Sequence, residues 1–562
     1  MSTRPAPLYL PPDDHAARRA DWNPLTLAAG AALWIAGPAN WPLWRALLAL
    51  PEMASARGGL FVFAFAVMVA ALHLALLAVF AWRFSIKPAI AVFLVSAALA
   101  AHFMGSYGVV IDPTMMTNVL QTDPRETRDL LNGRLAGSVA LLALLPLVLL
   151  WRLRVSQRPA GAQALLNAGA LVGGLVVIVA LVFATFADLS ATMRNHKSMR
   201  YLINPVNAFY SLGVLAREAG AQPAGPPVPI GLDATLLTRA AGAKPPLLLL
   251  VVGETARADH FSLNGYARPT NPELARLGVT SFSDVTACGT NTAASLPCMF
   301  SHLGRERHVD SKVRHENLLD LLQRAGLAVL WVDNQSGCKG LCDRVPNAQA
   351  SQAADPARPL PAGLCAAGEC FDEALLHDLG TRWQALDEAR RARGTVIVLH
   401  QMGSHGPAYF KRSPPGRKPF VPECVTNVLQ SCERQQLVNA YDNSIAYTDL
   451  VLAKAVAWLG RQADVAETAL LYVSDHGESL GENNLYLHGL PYSVAPREQK
   501  HVPMVLWLGA AAARGLPAAC LQQQRSAAWS HDHLFHTVLG LVGVSAAEYR
   551  PGLDVLATCR SG

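Results

Sequence analysis

Long apolar runs alternate with short charged breaks over the first third of the chain, and that pattern predicts membrane-crossing helices. The runs fall near 26–50, 59–82, 87–108, 135–151 and 166–189. Each is long enough, at about 1.5 Å per residue, to cross about 30 Å of hydrocarbon. Gly37-Pro38 and Pro42 interrupt the first, and broken helices are tolerated in membranes where protein covers them. Residues 190–217 mix Met193, Tyr201, Ile203 and Phe209 with Arg194, Lys197 and Arg200. That mixture suits either a segment lying along the membrane surface or an amphipathic helix packed on protein. The Pro-, Gly- and Ala-rich stretch 219–231 reads as a linker. Beyond 233 the pattern changes: apolar strands at 247–252, 328–332, 395–399, 469–473 and 502–508 alternate with helical patterns. The expected architecture is multi-domain: a five-helix transmembrane α domain over 1–189, membrane-surface helices and linker over 190–232, and an α/β domain with a mostly parallel sheet over 233–562.

Basic residues orient the helices. Arg18 and Arg19 precede the first run, Arg83 and Lys87 separate the second from the third, and Arg152, Arg154 and Arg158 separate the fourth from the fifth. Those segments are assigned to the cytoplasm, and five crossings then send everything after about 190 outward. The start lacks a cleavable-signal pattern, so the first run reads as an uncleaved anchor. All 10 cysteines lie between Cys288 and Cys559. The pairs Cys288/Cys298, Cys338/Cys342, Cys365/Cys370 and Cys424/Cys432 read as local disulfides, which persist outside the reducing cytosol, leaving Cys520 and Cys559 as candidates for a fifth. Cys338 and Cys342 also have the look of half a zinc ribbon, but no second pair has matching spacing. With 51% hydrophobic residues and a dispersed net charge of +6, the chain reads as a membrane protein and not as a nucleic-acid binder.

The residues that end the strands carry the chemistry. Glu254 follows the first, Asp333-Asn334-Gln335-Ser336 the second, His400 and His405 the third, and Asp475-His476 the fourth. Open α/β sheets bind ligands at the carboxyl ends of their strands, so these groups predict one shared mouth. Glu254, Asp475 and His476 offer the oxygen and nitrogen ligands that zinc accepts, with a fourth position for a reacting oxygen. The loop Cys288 to Cys298 holds the hydroxyls of Thr290 and Thr292 between two cysteines able to pin it. A threonine hydroxyl in the fourth position is acidified and made nucleophilic. Singly, Asp475 reads as a helix cap and Thr292 as a turn residue; four polar strand ends together favour a site. Ser530-His531-Asp532-His533, ahead of 537–542, reads as a capped helix start.

The stretches 252–266, 288–301 and 474–483 resemble those of phosphoethanolamine transferases acting on lipid A, the family of the polymyxin-resistance enzymes. The resemblance covers nearly the whole chain and implies five spans before an alkaline-phosphatase-like domain. It further implies a bacterial inner-membrane, multi-pass location with the catalytic domain in the periplasm. The implied reaction moves the head group of phosphatidylethanolamine to Thr292, releasing diacylglycerol, and then to a lipid A phosphate. Zinc is implied at Glu254, Thr292, Asp475 and His476, with substrate contacts at Thr290, Ser336, Lys339, His405 and His488. His405 and His488 are read as phosphate donors, with a second zinc as the alternative. Asn118, Thr122 and Glu126 match family positions facing the lipid donor, although Asp123-Pro124-Arg125-Glu126 is also an ordinary helix start. Gln335 stands where the family pattern has a second asparagine.

Transfer to a core sugar or periplasmic glucan would use the same chemistry. A phosphoglycerol transferase or sulfatase-like hydrolase is the runner-up enzyme, disfavoured by the several disulfides. A transporter or sensor would need intramembrane charged groups, for which only His73 and His102 are candidates.

Overall fold

The computed structural model describes residues 21–560 except Asp123, 222–224 and Ala367, and of Arg125, Glu126 and Ala221 only the backbone. Four helices among the described residues are long and apolar enough to cross a membrane: Ala56–Val79, Ile86–Tyr107, Gly133–Arg152 and Ala160–Ala184. The first apolar run is instead two helices, Pro24–Ala36 and Trp41–Leu48, joined by a short 3-10 turn. Thirteen helical residues rise only about 20 Å, and Pro38 has no N–H with which to continue the ladder. The expected five long spans are therefore four long helices and one broken segment.

The chain divides into two compact units. One comprises Met1–His102 with Arg134–Val206; the other comprises Phe103–Gly133 with Asn207–Gly562. In the first, buried Asn40 ties the broken segment to a later turn: its Nδ2 donates to the carbonyls of Ile35 at 2.7 Å and Asn204 at 2.8 Å. His73 holds the same turn, its ring nitrogens 2.7 Å and 2.8 Å from the carbonyls of Val69 and Asn204. His102 lies 3.1 Å from the Ser138 hydroxyl. Both histidines tie helical elements together, which is a structural use rather than a pathway. Residues 190–217 form the end of helix Phe186–Asn195, a 3-10 turn and most of helix Val206–Ala221.

The second unit is built on an eight-stranded sheet. Its strands in chain order are β1 Pro246–Gly253, β2 Thr280–Thr286, β3 Ala328–Asp333, β4 Asn347–Gln349, β5 Thr395–His400, β6 Glu467–Ser474, β7 His501–Leu508 and β8 Trp529–Ser530. They lie in the order β8-β2-β7-β6-β1-β5-β3-β4. The sheet is mixed: β7 runs antiparallel to both β2 and β6, and the other pairs are parallel. Every residue of β1 is buried. Leu248, Leu250 and Val252 face one core, whereas Leu247, Leu249 and Val251 face another that includes the long helix Arg434–Gly460. Burial on both faces is why the strand reads as an unbroken apolar run.

All ten cysteines pair, as Cys288–Cys298, Cys338–Cys342, Cys365–Cys370, Cys424–Cys432 and Cys520–Cys559. Cys338 and Cys342 are thereby removed as metal ligands. Loop-closure entropy ranks these crosslinks. Cys520–Cys559 spans 39 residues and Cys338–Cys342 spans 4, so removing the first pair with serines is expected to cost about 2 kcal/mol more than removing the second. Denaturant unfolding of the two double variants measures the difference, and the reverse ranking would show that native-state contacts dominate.

Candidate active site

Strand register brings the polar strand ends to one edge. His400 at the end of β5 pairs with Val252 on β1 and Asp333 on β3, and Ser474 at the end of β6 pairs with Gly253. Glu254 and Asp475 are the next residues on adjacent strands, and both are fully buried with His476. His476 Nε2 lies 3.2 Å from Glu254 Oε1 and 3.4 Å from Asp475 Oδ2. It lies 3.4 Å from the Thr292 hydroxyl, which donates to Glu254 Oε2 at 3.0 Å. His476 Nδ1 donates to the carbonyl of Gly477 at 2.9 Å, which fixes the tautomer and turns the Nε2 lone pair towards the carboxylates.

That arrangement demands a cation. Glu254 Oε1 and Asp475 Oδ2 are buried without a hydrogen-bond donor among the described residues, and uncompensated buried carboxylates are costly. With a proton as the only cation, burial and the Glu254 charge push Asp475 up to about 7. Burial would lower His476, but the Asp475 and Glu254 charges raise it to about 10. For Glu254, the hydrogen bond and charge of His476 outweigh burial and hold it well below the carboxylate range. A divalent metal suits the same atoms better. One ligand atom each from Glu254, Asp475 and His476 lies within 4.8 Å of the others. Tetrahedral ligands at about 2.0–2.1 Å from zinc stand about 3.3 Å apart, close to the 3.2 Å and 3.4 Å from His476 Nε2 to the two carboxylate oxygens.

The surroundings fix each group. Two backbone N–H groups, of His476 at 2.7 Å and Thr255 at 3.3 Å, occupy Asp475 Oδ1 and leave Oδ2 for the centre. Thr255 has φ +54°, a strained conformation for a β-branched residue. It is held there because its carbonyl accepts the Tyr441 hydroxyl at 2.7 Å. Gly403 has φ +53°, and a Cβ there would stand 2.7 Å from the Glu254 carbonyl. Thr292 is the first residue of helix Thr292–Met299, capped by Asn291 Oδ1 at 2.9 Å from the Ala294 nitrogen. The Cys288–Cys298 disulfide closes this turn.

The remaining expected residues fall into three groups. His488 and His405 adjoin the centre: the His488 ring is 4.3 Å from His476 and 5.6 Å from His405. Burial and the His476 charge hold His488 down to about 3, and its Nδ1 lies 3.2 Å from Glu478 Oε1. Thr290 lies in the Cys288–Cys298 loop with its hydroxyl on the Leu490 carbonyl at 2.7 Å. Ser336 and Lys339 form a pair beyond β3, Lys339 Nζ reaching Ser336 Oγ at 2.9 Å and the Gln121 carbonyl at 3.3 Å. Gln121 ends helix Pro113–Gln121, which carries Asn118; the Thr122 hydroxyl turns back onto the Asn118 carbonyl at 2.8 Å. The Glu126 side chain lies outside the described residues.

Two supports, at His531 and Asp129, were missed from sequence, whereas Asp333 and His400 were expected at the strand ends. His531 links the Cys288 nitrogen at 3.1 Å to the Ser474 carbonyl at 2.9 Å, tying the Thr292 loop to β6. Ser530 does cap the turn there. Asp333 binds His400 Nδ1 at 3.0 Å and holds the imidazole above its usual range against the opposing effect of burial. Asp129 fastens the Phe103–Gly133 segment within its unit: its buried carboxylate pairs with Lys411 and, at 3.0 Å, with Arg412. Arg412 Nε donates in turn to the His405 carbonyl at 2.8 Å.

Residues 246–544 match the family model described as Sulfatase, and residues 69–219 match that of Phosphoethanolamine transferase EptA/EptB. The chain is 42% identical to Phosphoethanolamine transferase EptA of Salmonella typhimurium over 84% of this chain and 85% of that one. It is 37% identical to Phosphatidylethanolamine transferase Mcr-1 of Escherichia coli over 94% and 96% of the two chains. Among solved structures it is similar to the integral membrane lipooligosaccharide phosphoethanolamine transferase A from Neisseria meningitidis, with TM-score 0.89 and 34% identity over 96% of this chain and 99% of that one.

Asp129→Ala leaves Lys411 without its carboxylate and Arg412 with Glu369 alone, a change expected to loosen the Phe103–Gly133 segment by about 1.5–3 kcal/mol. Hydrogen exchange is expected to quicken in that segment and not in β1 or β6. Equal exchange in variant and parent would show that the ion pairs do not hold it.

Proposed function

We propose, for a chain that belongs to the phosphoethanolamine transferase family, that it moves phosphoethanolamine from phosphatidylethanolamine to a phosphate of lipid A through Thr292. The carrying observation is the Thr292 hydroxyl, 3.0 Å from Glu254 and 3.4 Å from His476 at the positive end of a helix. Glu254, Asp475, His476 and Thr292 would hold zinc, because they supply only oxygen and imidazole ligands at tetrahedral spacing. Zinc, when bound, acidifies the threonine hydroxyl and offsets phosphoryl charge.

In the first half-reaction Thr292 Oγ1 passes its proton to Glu254 Oε2 and attacks phosphorus; the bond to the glycerol oxygen breaks, and diacylglycerol leaves with that proton, returned by Glu254. In the second, a lipid A phosphate hydroxyl gives its proton to Glu254 and its oxygen attacks the same phosphorus. The bond to Oγ1 breaks, and the hydroxyl regains its proton from Glu254. Positioning and charge, the main demands of phosphoryl transfer, fall to the rest of the site. His488, held neutral and turned by Glu478, and the neighbouring His405 face phosphoryl oxygens. The Lys339 ammonium and Ser336 take the phosphodiester, with Thr290 shaping the loop. Asn118, Thr122 and Glu126 hold the donor head group. The broken first segment joins the four long helices as a fifth pass in the bacterial inner membrane, and the disulfide-bonded domain faces the periplasm. Capping a lipid A phosphate with an ethanolamine lowers surface negative charge, the basis of polymyxin resistance.

Thr292→Ala is expected to abolish phosphoethanolamine addition to lipid A, read by mass spectrometry of lipid from expressing cells, while protein-bound zinc persists. Normal addition by the variant would remove Thr292 as the nucleophile. Glu254→Gln and Asp475→Asn are each expected to weaken zinc binding by about tenfold or more. Unchanged metal content in both would remove the assigned centre.

A further inference from the structure

A cavity of about 470 Å³ opens beside the nucleophile loop, with Cys288, Arg305, Arg307, Tyr492, Asp532 and Arg550 in its wall. It lies at the same sheet edge as the active site. β2 and β8 run in the direction of β6, because β7 is antiparallel to both β2 and β6 and β8 is parallel to β2. Cavity and site also share two loops. Cys288 begins the loop that carries Thr292, and Tyr492 follows the segment whose Leu490 carbonyl accepts the Thr290 hydroxyl.

The three guanidinium groups here outnumber the two carboxylates in the wall, Glu306 and Asp532, and form no ion pair among the described residues. Arg305 Nε donates to the Cys288 carbonyl at 3.0 Å, and its guanidinium lies 3.5 Å over the Tyr492 ring. Arg307 Nε donates to the Leu303 carbonyl at 3.1 Å. Among the described residues neither these two nor Arg550 meets a carboxylate. Asp532 is occupied by the Arg305 backbone nitrogen at 2.7 Å, and Glu306 is exposed. Lys500, 5.1 Å from the Tyr492 ring, is held below its usual range by burial and the Arg305 charge. Burial and the Arg550 charge likewise hold His536 down to about 4. A second cavity of about 450 Å³ is also basic, but its cations are spent: Lys411 and Arg412 on Asp129, Arg412 on Glu369, and Lys418 on Glu423.

We propose that the Arg305–Arg307–Arg550 cavity is the acceptor subsite, which takes a phosphorylated sugar. Guanidinium groups match phosphate oxygens in charge and geometry, and the volume exceeds what a phosphate alone fills. Asp532 stands in the same wall with Oδ1 on the Arg305 nitrogen, which leaves Oδ2 to accept a sugar hydroxyl. The assignment of the ligand as acceptor rests on the transferase reading above.

The test uses the full chain in detergent, with Arg307→Gln/Arg550→Gln as the variant; both side chains are at the surface, so the fold should persist. Titration with glucosamine 1-phosphate is expected to give at least about tenfold weaker binding to the variant, with inorganic phosphate weaker than the sugar phosphate for the parent. Binding within about twofold of the parent would overturn the subsite, and equal affinity for both probes would overturn the sugar. In transfer assays the KM for the lipid acceptor is expected to rise about tenfold while the donor KM moves less than about twofold. A parallel rise of both would also overturn it. If the parent protein transfers no phosphoethanolamine, the functional reading falls, and the titration alone decides the cavity.

Discussion

Two fully buried carboxylates share one small space with an imidazole nitrogen whose lone pair faces them. Such a cluster is stable only around a cation, since desolvation of the charges exceeds what their hydrogen bonds return. Much of the second unit meets that demand. Gly403 admits the Glu254 backbone, Thr255 is held in a left-handed conformation beside it, and the Gly477 carbonyl fixes the imidazole. Each device spends stability on geometry, which marks a site where preorganisation matters more than packing.

Crosslinks and ion pairs supply rigidity where the sheet ends. The nucleophile turn rests on a disulfide, an asparagine cap and the His531 bridge. The Phe103–Gly133 segment, which connects two long apolar helices, rests on Asp129 and its cations. Met115 of that segment lies where a Cβ on Gly489 would stand, so the segment forms part of the wall around the nucleophile helix.

The clustering of Glu254, Thr292, Asp475 and His476 was legible in sequence because each ends an apolar strand or begins a helix, and such breaks in pattern are local. Glu254 and Asp475-His476 followed from the strands before them, and the short cysteine pairs from their spacing. Supports that act across the fold left no local mark. His531 bonds Cys288 across 243 positions and Asp129 bonds Arg412 across 283; at those separations a histidine beside Ser530 reads as a cap and an aspartate in a helix as a solvated charge. The direction of β7 was hidden for a related reason, since an apolar strand reads the same whichever way it runs. The first apolar run did signal its own break, at Gly37-Pro38. Gln335, the departure from the family pattern, accepts the Ser336 hydroxyl at 2.5 Å, so its longer amide is used within its own loop.

On the proposed reading, strand order leaves room for one hydroxyl to serve a zwitterionic donor lipid and an anionic acceptor in turn. Glu254 and Asp475 end the central neighbours β1 and β6; Ser336 and Lys339 follow β3, two strands to one side, and Cys288 follows β2, two strands to the other. At about 4.8 Å per strand each flank lies about 10 Å from the centre, roughly the reach of a phosphorylated head group. Donor and acceptor phosphates placed on opposite flanks would not compete for one set of cations. Both would still bring a phosphorus or an oxygen to Thr292, whose helix bridges from the β2 end to the centre. On that reading the nucleophile faces both flanks and has to be fixed in position, which accounts for a turn pinned by a disulfide rather than left as a mobile loop.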